Sequence, residues 1–146
     1  MMLLVTGTIA GLIAGIGMAL VSEIMYRFKV FKSSQLIIDG TFACKNIKLS
    51  CSPMMVYIMG VLVNFVTSAV FGFIFALLST WLRFDMRILL AIVPYVIVLW
   101  LAMLFIALPV AGEGILGRRA GPYAWLEQLV LHIIFGIIFY FAIGII

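Results

Sequence analysis

Four long stretches of this chain carry almost no charge: Met1–Ser22, Asn46–Leu82 with only Lys48 inside it, Ile88–Gly112, and Gln128–Ile146. About 20 consecutive apolar residues, rising about 1.5 Å each as a helix, cross the ~30 Å hydrocarbon core of a bilayer. Charged residues make up 10% of the sequence, against about 25% in a typical soluble domain. No water-soluble fold buries that much apolar surface. The pattern predicts an all-α polytopic membrane protein, a bundle of four transmembrane helices at about 3–25, 53–82, 88–110 and 122–146 with a loop at 29–52. Too little chain remains outside the spans for a separate soluble domain, so residues 1–146 read as one membrane domain.

The nine Lys and Arg residues lie in loops or at span ends. Such placement fits lipid headgroups and membrane topology, not nucleic acid. Arg27, Lys29, Lys32, Lys45 and Lys48 in the first loop, with Arg118 and Arg119 in the third, outnumber Arg83 and Arg87 in the second by seven to two. Basic residues accumulate on the cytoplasmic side. The expected orientation in the cell (inner) membrane therefore has loops one and three in the cytoplasm and both termini outside. The apolar N-terminal stretch lacks a preceding basic region and is not read as a cleavable signal. Cys44 and Cys51 are then expected to be reduced thiols, whereas the opposite orientation lets them form a disulfide. Their spacing, with no His nearby, is a poor metal signal.

Small residues recur every fourth position in the first span, at Gly7, Gly11, Gly15 and Ala19. They form one stripe on which another helix backbone can approach closely. Glu23 and Arg27 stand in favourable i,i+4 spacing. In the first loop, residues 33–38 are expected to begin a short interfacial helix with a serine cap, ended by a turn at Asp39-Gly40. The second span opens at Ser52-Pro53, a cap followed by proline at the first helical position. Pro94 is expected to kink the third span and Pro109 to mark its end. The glycine-rich connection at 111–121 lacks the G-K-[ST] ending of a phosphate loop and reads as a tight turn.

Spans two and four share a layout: an opening proline, a polar residue ten or eleven positions later (Asn64, His132), then small residues four apart. This predicts two repeated helical hairpins. It also puts both polar side chains about 15 Å deep, where an Asn64–His132 hydrogen bond is the simplest way to satisfy them. His132 is the lone histidine. It can serve as a hydrogen-bonding group, as part of a proton or substrate path, or as a haem or metal ligand, with a sulfur from Met18, Met59 or Met103 or a ligand from a partner subunit as its counterpart. Glu127 is expected to pair with Arg118 or Arg119 or to snorkel to the interface, with a Glu127–His132 proton relay as the functional alternative.

The glycine ladder, the polar residue followed by small residues in span two, and the string Leu131-His132-Ile133-Ile134-Phe135-Gly136 resemble a family of small uncharacterised prokaryotic four-helix membrane proteins. Members of that family often carry a histidine where this chain has Asn64, and the resemblance implies no biochemical activity. No Ser-His-Asp, Cys-His or paired-carboxylate arrangement stands in the spans, so no catalysis and no bound cofactor are expected of the chain alone. The first expectation is an accessory subunit, packed through the Gly7–Gly11–Gly15 face against another membrane protein or a second copy. The alternatives are a small oligomeric transporter or channel lined by Asn64, His132 and Glu127, and a redox subunit holding haem or quinone near His132.

Overall fold

Each charge-free stretch forms one long helix in the computed structural model, which describes residues 2–146. In chain order the helices are α1 (Met2–Arg27), α2 (Gln35–Asn46), α3 (Pro53–Leu82), α4 (Leu89–Ala111) and α5 (Ala124–Ile145). All but α2 are long and apolar enough to cross a membrane. The boundaries follow local chemistry. Ser52 caps α3 by accepting the Met55 N–H at 3.3 Å, with Pro53 at the first position. Arg83, in the left-handed region, ends it. Gly112 ends α4 at φ 93°, a backbone conformation that costs glycine little. Helix α5 begins at Ala124, after Gly121-Pro122, which stay outside it.

Helix α4 departs from regular geometry between Met103 and Ala107, where one π-helical turn is inserted. Pro109 has no N–H to give the carbonyl one turn back, and its ring crowds that position. A wider turn relieves both problems. Pro94, by contrast, lies in the second turn and the helix continues through it.

Around the bundle the helices stand in the order α3, α1, α5, α4. Helices α1 and α3 form one antiparallel pair. Gly7 meets the Gly72 carbonyl and Ala76, Gly11 meets Ser68 and Gly72, and Gly15 meets the Ser68 side chain. The glycine stripe is therefore closed by the chain's own third helix. This corrects the expectation of an outward face: Gly72 and Ser68 supply the matching small residues, so the two backbones interlock with no room for a partner. The lipid-facing sides are ordinary Leu, Ile, Val and Phe.

Helices α4 and α5 form the second pair, with Val96 against Gly136 and the Trp100 indole N–H donating to the Trp125 carbonyl at 3.1 Å. Helix α1 joins the pairs, and in the core Phe139 stacks on Phe135 and meets Phe75 edge to face. Helices α3 and α4 stand apart. Across the seam Tyr95 donates its hydroxyl to the Phe71 carbonyl at 2.7 Å and packs its ring 5.0 Å from Phe75.

The largest departure from the sequence reading is α2. Asp39-Gly40 makes no turn; both residues sit buried in mid-helix. Gly40 lies on the Val56 carbonyl of α3, and Gly60 of α3 lies on the Leu36 carbonyl of α2. On its other side, Ile38 joins Met103, Leu104, Leu108 and Ala111 of α4 in a second apolar cluster. A 12-residue helix is too short to span a bilayer. This one is instead a wedge between α3 and α4 at the loop end of the bundle, not a segment lying on the leaflet.

Cys44, near the end of α2, and Cys51, just before the α3 cap, form a disulfide. The expectation of reduced thiols is corrected: docking α2 on the first turns of α3 brings the two Cα atoms to 6.2 Å, within bridging range.

Candidate functional site: a polar-ended cavity in the α3–α4 seam

The segment before α2 would leave its backbone donors unpaired at a buried helix start. Side chains from α1 and α5 take them. Ser22 Oγ, fully buried, accepts the Gln35 N–H at 2.7 Å. The Glu127 carboxylate accepts the Lys32 N–H at 3.1 and 3.2 Å. Ser34 donates its hydroxyl to Glu23 at 2.9 Å, and Glu23 also pairs with Arg27 at 2.8 Å.

Glu127 is thus an anchor for the α2 linker. It is buried, and the expected pairing with Arg118 or Arg119 is not made. Arg119 donates instead to the Gly112 carbonyl at 3.1 Å. The linker folds over the start of α5 and reaches the carboxylate first. No bond joins Glu127 to His132 among the described residues.

Anchored this way, α2 forms the floor of a cavity of about 220 Å³ between α3, α4 and α5. Phe42, Phe71, Phe135 and the π-turn residues Met103, Ile106 and Ala107 make its apolar wall. One end is polar: Gln35 and Asp39 from α2, Asn64, Thr67 and Ser68 from α3, and His132 from α5.

Asn64 and His132 are both buried and both face this space. They do not bond to each other as expected. His132 Nδ1 lies 2.7 Å from the Gln128 carbonyl of its own helix. A carbonyl can only accept, so Nδ1 carries the proton, and in the neutral ring Nε2 is an acceptor. The i−4 carbonyl lies within reach of Nδ1, whereas Asn64 turns its Oδ1 toward Gly15 of α1.

Behind the cavity lining, Gln35 Oε1 and Asn64 Oδ1 are enclosed by protein without a partner, the latter turned toward Gly15 of α1. The Gln35 amide is oriented by its Nε2, which donates to Asp39 Oδ1 at 2.9 Å, so Oε1 is the free side. An unpaired buried polar atom costs about 1–3 kcal/mol. Burial pushes the Asp39 carboxyl up to about 7, and the Gln35 hydrogen bond pulls the other way. No Lys or Arg lines the cavity. The basic residue of α2, Lys45, reaches away to the Ala111 carbonyl.

Sequence reasoning placed Asn64 and His132 at one depth and missed Gln35 and Asp39. The available signal was their i,i+4 spacing around apolar Leu36–Ile38, which sets both polar groups on one helical face. The Asp-Gly pair, a common turn signal, hid it.

Among the described residues no three His, Cys, Asp or Glu side chains converge as a metal site would require. Met18 and Met103 line the cavity with His132, but Met59 does not. Haem does not fit: a cavity of ~150 Å³ holds a single benzene ring, and this one is about 220 Å³. No family model, curated protein or solved structure matches the chain.

Proposed function

We propose that this chain is a small-molecule-binding membrane protein of the transporter kind, which takes an amphipathic molecule from the lipid phase into the α3–α4 seam. The observation that carries the reading is the cavity: apolar walls and one polar end, where the Asp39 carboxyl has no basic partner. Ligand sites are concave, mostly apolar and carry a few polar groups that fix orientation. The π turn on one wall supports it, because such turns concentrate at functional sites, as does irregular backbone near the midplane of transporters. The accessory-subunit reading drew on an outward glycine face, and that face is used inside the chain.

The orientation proposed with it places the first loop outside the cytoplasm. The basic-residue count points the other way, but a disulfide between Cys44 and Cys51 needs an oxidising compartment to persist.

The test is thermal stability of the protein in nanodiscs against a panel of small aryl-alkyl molecules with polar ends. Binding stabilises the folded state in proportion to ligand occupancy. At least one class should raise the melting temperature of the wild type, and Ala102→Phe, which fills the cavity from the α4 wall, should abolish the effect. A panel without any stabilising member, or equal stabilisation of both proteins, contradicts the reading.

A further inference from the structure

Two acceptors on the polar part of the cavity lining are free: the Asp39 carboxyl oxygen that Gln35 leaves unpaired and His132 Nε2. A ligand that satisfies them must bring hydrogen-bond donors. The carboxyl also lacks a cation, because no basic residue lines the space and Lys45 is committed elsewhere. A carboxylate without a partner in an apolar surrounding is strongly disfavoured, and a cation supplied to it relieves that cost. Three phenylalanines, Phe42 of α2, Phe71 of α3 and Phe135 of α5, line the same cavity, and aromatic faces attract organic cations.

From this geometry we infer that the cavity takes a lipophilic amine, with its ammonium group at the Asp39 carboxyl and its apolar body among the phenylalanines that line the space. The inference rests on the binding reading above and narrows it to one ligand class. The space suits one ring with a short amine arm, since it exceeds the ~150 Å³ that holds benzene.

Asp39 and His132 are the titratable side chains on the cavity wall; α1, α3 and α4 contribute none to it. The Asp39 carboxyl, pushed up to about 7, gives up its proton when an ammonium arrives. Cation and proton therefore compete for one carboxylate, and affinity for the amine rises with pH up to about 7. A transporter with this site would exchange a proton for the cation.

The experiment uses the full chain in zwitterionic nanodiscs with three probes of matched shape, 2-phenylethylamine, 2-phenylethanol and phenylacetate, with binding read by calorimetry. The amine should bind about tenfold more tightly than the alcohol, the ~1.4 kcal/mol by which charge-assisted hydrogen bonds exceed neutral ones, and phenylacetate should not bind. In Asp39→Asn the amine should fall to the level of the alcohol measured in the same variant, with an unchanged circular-dichroism spectrum reporting the intact fold. Equal affinity for amine and alcohol in the wild type, or an amine affinity unchanged in Asp39→Asn, overturns the cation assignment and leaves the binding reading standing. If neither amine nor alcohol binds, or if both bind equally to Ala102→Phe, both readings fall.

Discussion

Replacing Asp39 with Asn removes an ionisable group from the one place in α2 where the fold holds a carboxyl out of water. In the folded protein this carboxyl sits at about 7, against 3.8 for a free one. The folded state therefore holds a proton that the unfolded state has already lost between those two values. Stability does not depend on Asp39 below about pH 4, falls as pH rises through the window, and levels off above about 7. A difference of about 3 units at ~1.36 kcal/mol each sets the loss at about 4 kcal/mol as an upper bound. Asn keeps the shape and still accepts the Gln35 Nε2 bond, so the variant isolates the titration.

The assay is unfolding of both proteins in mild detergent, followed by tryptophan fluorescence from pH 4.5 to pH 8.5. Other carboxyls titrate in the same range and contribute equally to both, so the difference between the curves is the quantity to read. The wild type should match Asp39→Asn at the acid end and become progressively less stable than it toward neutrality. Parallel curves, or a wild type that gains on the variant as pH rises, refute the buried, unpaired state of Asp39.

Gly11→Leu should weaken the α1–α3 pair by roughly 1–3 kcal/mol, because even a Cβ there lies 2.9 Å from Gly72 Cα. In thermal melts the exposed control Gly144→Ala, with nothing within 4 Å of the new Cβ, should stay neutral or gain slightly. Glu127→Ala should cost about 1.5–3 kcal/mol, the loss of charge-assisted bonds to the Lys32 backbone. Its signature is faster hydrogen exchange in the 28–34 linker, which Arg118→Ala with Arg119→Ala should not reproduce. Maleimide labelling of whole cells should detect Cys44 and Cys51 after a membrane-impermeant reductant and not before. Thiols already free, and shielded from an impermeant maleimide, would return the first loop to the cytoplasm.

The spans were legible because hydropathy and helix length are local properties: the structure moves their ends by one or two residues. The Ser52-Pro53 start was legible for the same reason, since a cap is a four-residue event. Gly7, Gly11 and Gly15 could be read as a packing face, but not against what; that depended on Gly72 and Ser68 sixty residues away. The wedge helix was not legible. Its polar face, Gln35 and Asp39, looks in sequence like solvent-facing residues, and only docking between α3 and α4 turns that face into a cavity floor. Glu127 was found as a special residue and given the wrong partner, because its acceptors are met by a backbone N–H, which sequence does not distinguish.

The methionines offer a direct look at the cavity. Met18 and Met103 line it, whereas Met54 is 74% exposed at the start of α3. In protein carrying ¹³C-methyl methionine, titration with 2-phenylethylamine should shift the Met18 and Met103 methyl signals, saturably and together, with Met54 unmoved. Shifts spread evenly over exposed methionines, or none at Met18 and Met103, would show that the seam between α3 and α4 is not a binding site.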